Sequence, residues 1–409
     1  MGRRRSRAWS IAALVCGSFG IGVSEFVVMG LLPRIAADLI PERFAADPDG
    51  AIAVTGAVVS FYALGVVAGM VVTPLLLRSL SLPTTALICT LAMSIWTLAT
   101  ALAPTLELVV ALRFMSSLTH ASYVGIAAIL VGRMLGPAFP GRGAALVMGG
   151  FAIANLLGVP LGTQLGAFGG WRPVLACCAI LFLVPAVVLV RPPGGSMETR
   201  APAVAGAASG AAIGPLARLI ATGTVIAIGG FTLVTFVAPL TAASSTTDRV
   251  PVIPVALSML LFGIGMTIGN FGGGWLADRS ADLGLLVSAI SGALGAALVS
   301  AAAGPWLHGA SVGAGATAIG MLLVGVGVGT YSPAAQLLFV QSARAWPKFA
   351  ASLVSGTSNL GSFLGATIGG IVLSSRGPQG VAVFALVLLG CGVCAQLLRM
   401  RRNVREVAA

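Results

Sequence analysis

Charge is scarce in these 409 residues: 23 Lys or Arg and 11 Asp or Glu make up 8% of the chain, against 57% apolar residues. A water-soluble domain carries about 25% charged residues, so no ordinary soluble fold of this length fits. Histidine is scarcer still, at two residues. With so few acids beside them, no metal site and no nucleophile–base arrangement can be assembled, which argues against an enzyme. No GxxxxGK[ST] stretch occurs, so an ATP-driven pump is not indicated either. The six cysteines, Cys16, Cys89, Cys177, Cys178, Cys391 and Cys394, all fall in apolar stretches. They read as small buried hydrophobes; Cys391-Gly-Val-Cys394 has redox-motif spacing but no polar flank. A net charge of +12 comes without a recognition motif or interleaved aromatics and bases, so no nucleic-acid partner is expected.

What is present is apolar length. Twelve stretches near the 20 residues needed to cross a bilayer run at 11–33, 51–77, 84–103, 106–132, 143–167, 173–190, 216–240, 252–276, 283–303, 312–340, 349–374 and 379–398. Between them stand turn formers and charges, such as Arg78 to Pro83, Pro104 and Gly169 to Arg172. The first stretch follows Arg3, Arg4, Arg5 and Arg7 as in a signal peptide. It is too long for one and lacks a small-residue cleavage site, so it predicts a retained helix. With the N-terminus inside, 17 of the 23 basic residues lie on the inner side. Five lie outside (Arg34, Arg43, Arg172, Arg249 and Arg376), and Arg113 falls within a span. This asymmetry predicts a multi-pass protein of the cytoplasmic membrane with both termini cytoplasmic. The basic excess then marks orientation, not a polyanionic ligand.

The chain also repeats itself. Ala145-Leu-Val-Met-Gly149, Leu157-Gly158 and Gly162 recur as Ser352-Leu-Val-Ser-Gly356, Leu364-Gly365 and Gly369, each pair 207 residues apart. Ala154, Gly158, Gly162 and Gly166, like Gly361, Gly365 and Gly369, follow at steps of four and form a smooth stripe for a close-lying helix. Between the copies lies a Pro-, Gly- and Ala-rich segment. The expected fold is all-α and polytopic: twelve transmembrane helices in two pseudo-symmetric six-helix bundles. Residues 1–190 make the N-terminal bundle, 191–215 a cytoplasmic linker, and 216–409 the C-terminal bundle with a basic cytoplasmic tail. Two such halves imply a mid-membrane site reached alternately from each side, hence transport.

Two charges lie deep within spans, Glu25 and Arg113. Each costs about 2.5–3.5 kcal/mol at the bilayer centre on insertion scales, so each is expected to face a partner or a wet cavity. Glu25 precedes Pro33 by eight residues and Arg113 follows Leu106 by seven. At about 1.5 Å per residue both sit about 11–12 Å below the outer boundary. They are either a static ion pair or a proton carrier with its counter-charge. His120, seven residues after Arg113, shares its face; it is a proton relay, a substrate ligand or a satisfied buried imidazole. Tyr62, Asn155, Gln336 and Asn359 are candidate substrate-cavity residues. Gly274-Trp-Leu-Ala-Asp278-Arg279 closes the eighth span, its glycine suited to close helix approach. The equivalent run in the first half, Thr73-Pro-Leu-Leu-Leu-Arg78, keeps the base without the acid.

These residues resemble the major facilitator superfamily over essentially the whole chain. Gly274-x-Leu276-x-Asp278-Arg279 is similar to its loop motif, which implies that Asp278 and Arg279 help hold the inner gate. Arg113 matches the fourth-helix arginine linked to proton transfer, although Leu118-Thr119-His120 replaces the family's Gln-Gly. Gly158-Val-Pro160-Leu-Gly162 resembles the fifth-helix antiporter motif, which implies export. Gly22-x-x-Glu25-Phe26 leading to Pro33 is similar to the first helix of the twelve-span drug:proton antiporter branch. Within that branch, Asn155 to Thr163 and Gly170-Trp171-Arg172 look closest to the arabinose-efflux-like and chloramphenicol-exporter group. The expectation is a monomeric proton-coupled antiporter exporting a small, fairly apolar compound from the cytoplasm. It would use no cofactor or metal beyond the proton gradient, and its partners would be the substrate, protons and the lipid bilayer. Sugar or nucleoside efflux, and a passive facilitator, are the alternatives on the same fold.

Overall fold

The computed structural model describes residues 2–135, 140–190, 213–247, 250–251, 254–304, 307, 310–342 and 347–408, nearly all of them helical. Of the expected linker, 191–212 lies outside the described residues, and its last three positions already belong to a helix.

The first span is one helix, Gly2–Leu39. It runs past Pro33, where the sequence predicts its end, because one proline removes only the hydrogen bond to Met29 while apolar residues continue on both sides. Two short helices follow, Pro41–Ala46 and Pro48–Thr55, each with proline in its first turn. The remaining spans of the first half are Ala57–Leu76, Leu82–Leu102, Leu106–Ser117 with His120–Leu135, Pro140–Ile153 with Val159–Gly169, and Trp171–Val190. The second half has Ile213–Thr235 with Val237–Ser245, Val255–Arg279, Ala281–Ala303, Ala310–Ser342 and Pro347–Ala408. A two-residue antiparallel pair, Thr246–Thr247 with Val250–Pro251, precedes the eighth span. Among the described residues eleven helical stretches are long and apolar enough to cross a membrane. The last of them bends at Gly377, whose φ of +67° no side-chain-bearing residue adopts readily, so it supplies two spans and the total is twelve.

The helix interruptions have chemical causes. In the fourth span the hydroxyls of Ser116 and Ser117 turn back onto the carbonyls of Arg113 and Phe114, both at 2.9 Å, and compete with the helix just before it breaks at Leu118. The freed Leu118 carbonyl accepts from Thr73 Oγ1 at 2.7 Å. In the fifth span a π-helical turn, Ala154–Gly158, precedes Pro160. Proline has no N–H for the Leu156 carbonyl, and the wide turn absorbs that loss. Gly170, at φ +84°, then reverses the chain, and Arg172 Nη1 donates to the carbonyls of Ala101 (3.0 Å) and Ala103 (2.7 Å) at the end of the third span.

By its internal contacts the chain forms two compact units, Met1–Arg34 with Phe61–Ala205, and Ile35–Ser60 with Gly206–Ala409. Packing within each repeats. In the first, the small-residue stripe of the fifth span lies on the first: a Cβ built on Gly162 would come within 2.9 Å of Val27 Cγ2, and one on Gly22 within 2.7 Å of Ala154. In the second, Gly361, Gly365 and Gly369 lie against Ala227, Ile228, Thr232 and Phe236 of the seventh span. The eighth span approaches the tenth through Gly273, whose Cβ would meet Thr330 Cα at 2.8 Å. Gly274, to which the sequence assigns that close approach, would meet nothing within 4 Å. Adjacent helix positions point about 100° apart, so only one of the pair can face the neighbour.

A contrast of two glycine variants tests this packing. Gly365→Val pushes side-chain atoms toward the Ile228 carbonyl, 2.9 Å from a Cβ there. It is expected to lower stability by about 1–3 kcal/mol. Gly274→Ala should leave stability unchanged or gain up to about 1 kcal/mol from helix propensity. Thermal melting of the full-length protein in detergent measures both.

The outward faces are apolar. Phe168 is 83% exposed and Phe271 77% exposed, as suits helices surrounded by hydrocarbon. Cys177, Cys391 and Cys394 share those faces and only Cys89 and Cys178 are buried, which corrects the reading of all six as buried residues. Polar side chains turn inward: Ser94 donates to the Ala179 carbonyl and Tyr123 to that of Leu14, each at 2.8 Å.

Candidate functional site

Four of the expected polar residues cluster inside the first unit, around Tyr62. Arg113 is fully buried and Tyr62, His120 and Glu25 nearly so, at 4%, 6% and 8% exposure. The fourth span contributes Arg113 before its break and His120 after it. Both reach Tyr62 of the second span: the guanidinium carbon lies 3.9 Å over the centre of its ring, and its hydroxyl is 3.2 Å from His120 Nδ1. A cation over an aromatic face is attracted by the ring quadrupole, the more so where water is excluded. Phe151 of the fifth span stacks obliquely on His120, with centroids 6.2 Å apart, and meets Phe26 edge to face at 6.2 Å.

The guanidinium edge points at the first span. Nη1 donates to Ser24 Oγ and Nη2 to the Ser24 carbonyl, both at 3.0 Å, while Nε is buried without a partner. Glu25, the next residue, makes no ion pair with Arg113 within 4.0 Å. Glu25, Tyr62 and Cys178 nevertheless lie close enough to Arg113 to interact with it electrostatically. A buried cation is thus held by neutral oxygens and an aromatic face, with a carboxyl beside it. Such a group can change partner when the carboxyl gains or loses a proton. Tyr62, which the sequence groups with the substrate cavity, sits at the centre of this cluster. Ser24 and Phe151 were not legible as site residues, since a serine or phenylalanine in an apolar helix says nothing about which neighbour it faces.

The remaining candidates are distributed differently. Asn155 lies in the π-helical turn, 2% exposed; its amide donates to the Phe151 carbonyl at 3.0 Å and its own carbonyl oxygen has no partner. Asn359, in the second unit, repeats the arrangement: its amide donates to the Ser355 carbonyl at 3.0 Å, and Oδ1 is buried and unpartnered. Gln336 is half-buried on the tenth span. Gly158 and Gly162, flanking Pro160, are packing positions against the first span, near Val23 and Val27. Arg279 is exposed and folds over its own helix, 3.4 Å above the Trp275 ring. The Asp278 side chain lies outside the described residues. Among the described residues no group of three His, Cys, Asp or Glu is placed to hold a metal ion.

The family model described as Major Facilitator Superfamily matches residues 14–348. The inner membrane transport protein YdhP of Escherichia coli K12 is 30% identical over 402 residues, 98% of each chain. A chloramphenicol resistance protein of Streptomyces lividans is 26% identical over 273 residues, 66% of each. Among solved structures, a bacterial homologue of the human lysosomal transporter Spinster, in an inward-facing and occupied conformation, superposes with a TM-score of 0.70 at 14% identity, covering 97% of both chains. That likeness shows the fold. Shared sequence across most of the length and a shared helical architecture make this a multi-pass membrane protein with the fold of transporters, not enzymes, and the chain belongs to the Major Facilitator Superfamily.

Proposed function

We propose that the protein is a proton-coupled antiporter that exports a small, fairly apolar compound from the cytoplasm by alternating access, with both termini cytoplasmic. The observation that carries this reading is the buried site itself. A static structural pair would close a salt bridge, because an uncompensated buried charge is costly. Here Glu25 and Arg113 lie in one cluster without pairing, and Arg113 binds neutral oxygens instead. A carboxyl poised beside an unpaired guanidinium supports a group that is loaded and unloaded with a proton. The proton gradient is the only energy source the reading requires, and a monomer suffices because the cluster is built within one unit.

The cargo class follows from the side chains near the cluster in the first unit. Apolar side chains such as Phe26 and Phe151 offer bulk contact, while the Asn155 carbonyl oxygen lacks a donor. An amphipathic compound with hydroxyl or amide donors fits that inventory, since a buried acceptor left unmet costs about 1–3 kcal/mol. The relation to a chloramphenicol resistance protein makes chloramphenicol, which carries such donors, the first cargo to test.

The test is transport in proteoliposomes holding the full-length protein. An imposed pH gradient is expected to drive chloramphenicol uphill against proton flow, and collapsing the gradient should leave only counterflow. A rate indifferent to the gradient would make the protein a passive facilitator.

A further inference from the structure

The arrangement around Arg113 assigns a role to a residue that motif reading passes over. We propose that Ser24 is a positioning residue: its hydroxyl and carbonyl hold the Arg113 guanidinium off the Glu25 carboxyl, so that loss of the Glu25 proton is what draws Arg113 across. This rests on Glu25 as the proton carrier.

Three observations support it. Arg113 spends both terminal nitrogens on Ser24, at 3.0 Å each, and leaves Nε unpartnered although it is fully buried. Buried donors are normally satisfied, so this resting place meets only part of the cation's demand. Secondly, Ser24 and Glu25 are consecutive on one helix, their side chains about 100° apart. The two alternative acceptors therefore lie within a short swing of one guanidinium. Thirdly, the guanidinium carbon lies 3.9 Å from the centre of the Tyr62 ring, which is itself tied to His120. The ring quadrupole attracts the cation and keeps it beside the first span.

The energetic order follows. A guanidinium on a carboxylate gains a charge–charge attraction, often through two parallel bonds, that a neutral serine oxygen cannot supply, so an ionised Glu25 outcompetes the serine. A protonated Glu25 does not, and Arg113 returns to Ser24. The proton itself goes to water or comes from it; no covalent bond between residues changes. The titratable and charged groups that face the site are Glu25 from the first span, Tyr62 from the second, Arg113 and His120 from the fourth and Cys178 from the sixth. The fifth span presents Phe151, which does not titrate.

Infrared pH titration of full-length protein in lipid nanodiscs reads the proton on a buried carboxyl directly, without cargo. The Glu25 band is the one missing from Glu25→Gln. Ser24→Ala removes the hydroxyl acceptor, frees the guanidinium for the carboxylate, and is expected to move the band's midpoint to lower pH by about one unit, a tenfold loss of proton affinity. Ser24→Thr restores the hydroxyl and should return the midpoint to that of the wild type. Ser24→Cys, whose thiol is a weak acceptor of similar size, should shift it in the same direction as Ser24→Ala and gives a second reading if the alanine variant is poorly folded. Midpoints unchanged in both Ser24→Ala and Ser24→Cys would overturn the role of Ser24 and leave Glu25 as carrier. A wild-type spectrum with no titrating band absent from Glu25→Gln would overturn the carrier reading, and the positioning role with it.

Discussion

Uphill export driven by a pH gradient is expected to disappear in Glu25→Gln, by about a hundredfold or more. Glutamine matches glutamate in volume and is neutral at all accessible pH, so it cannot release a proton. Glu25 makes no hydrogen bond or ion pair among the described residues and is 8% exposed, so the substitution removes no structural contact. Melting temperature should therefore hold. Counterflow, in which cargo exchanges for cargo with no net proton movement, should persist within about threefold of wild type, because only coupling depends on the carboxyl. Uphill export at the wild-type rate would remove Glu25 as the proton carrier. Loss of counterflow as well would instead place Glu25 in cargo binding.

The second large effect is expected at Arg113, where activity and stability should part company. Arg113→Met replaces a fully buried guanidinium by an apolar side chain of similar length. Replacing a whole buried ion pair by apolar groups is often neutral or stabilising by about 1–4 kcal/mol, whereas removing one partner of a closed buried pair costs about 3–5 kcal/mol. Here there is no closed pair: the partners are the hydroxyl and carbonyl of Ser24 and the face of Tyr62. Ser24 can redirect its hydroxyl to its own helix, and a neutral Glu25 leaves no orphan charge. The variant should melt at or above the wild-type temperature while gradient-driven export falls by about a hundredfold. A variant that melts well below wild type would show that Arg113 is chiefly structural. Arg113→Lys is a useful companion, because a point charge cannot occupy two acceptors on Ser24 and lie flat on Tyr62 together.

The buried cluster around Tyr62 sits within one unit, and an unmet amide oxygen is found in each unit, on Asn155 and on Asn359. The two asparagines share one local geometry, each donating to the carbonyl four residues earlier, although they stand 204 residues apart and so fall outside the 207-residue register of the repeat.

A second polar cluster stands apart from the site. Gln396 Nε2 donates to the Asp282 carbonyl (2.9 Å) and carboxylate (3.0 Å), and Arg399 bridges both residues. It ties the start of the ninth span to the twelfth. In the sequence Asp282 and Arg399 are only charges at the ends of apolar stretches, and Gln396 is a lone polar residue within one.

Hydropathy alone determined the membrane class and the number of spans, because a bilayer imposes one length on every crossing and lipid-facing positions tolerate little besides apolar residues. Spacing alone also determined the small-residue stripes of the fifth and eleventh spans, since a residue every four positions returns to one helix face. The depth of Glu25 and Arg113 was countable from the helix rise. The tertiary structure decided which faces meet. Pro33 interrupts a hydrogen bond but not a helix; Gly273, rather than Gly274, touches the tenth span. Ser24, with nothing in its own neighbourhood to single it out, became the seat of the buried arginine. A side chain's partner is set by the rotation of two helices about their axes, and that rotation is fixed by packing across the whole unit, not by the residues on either side of it in the chain.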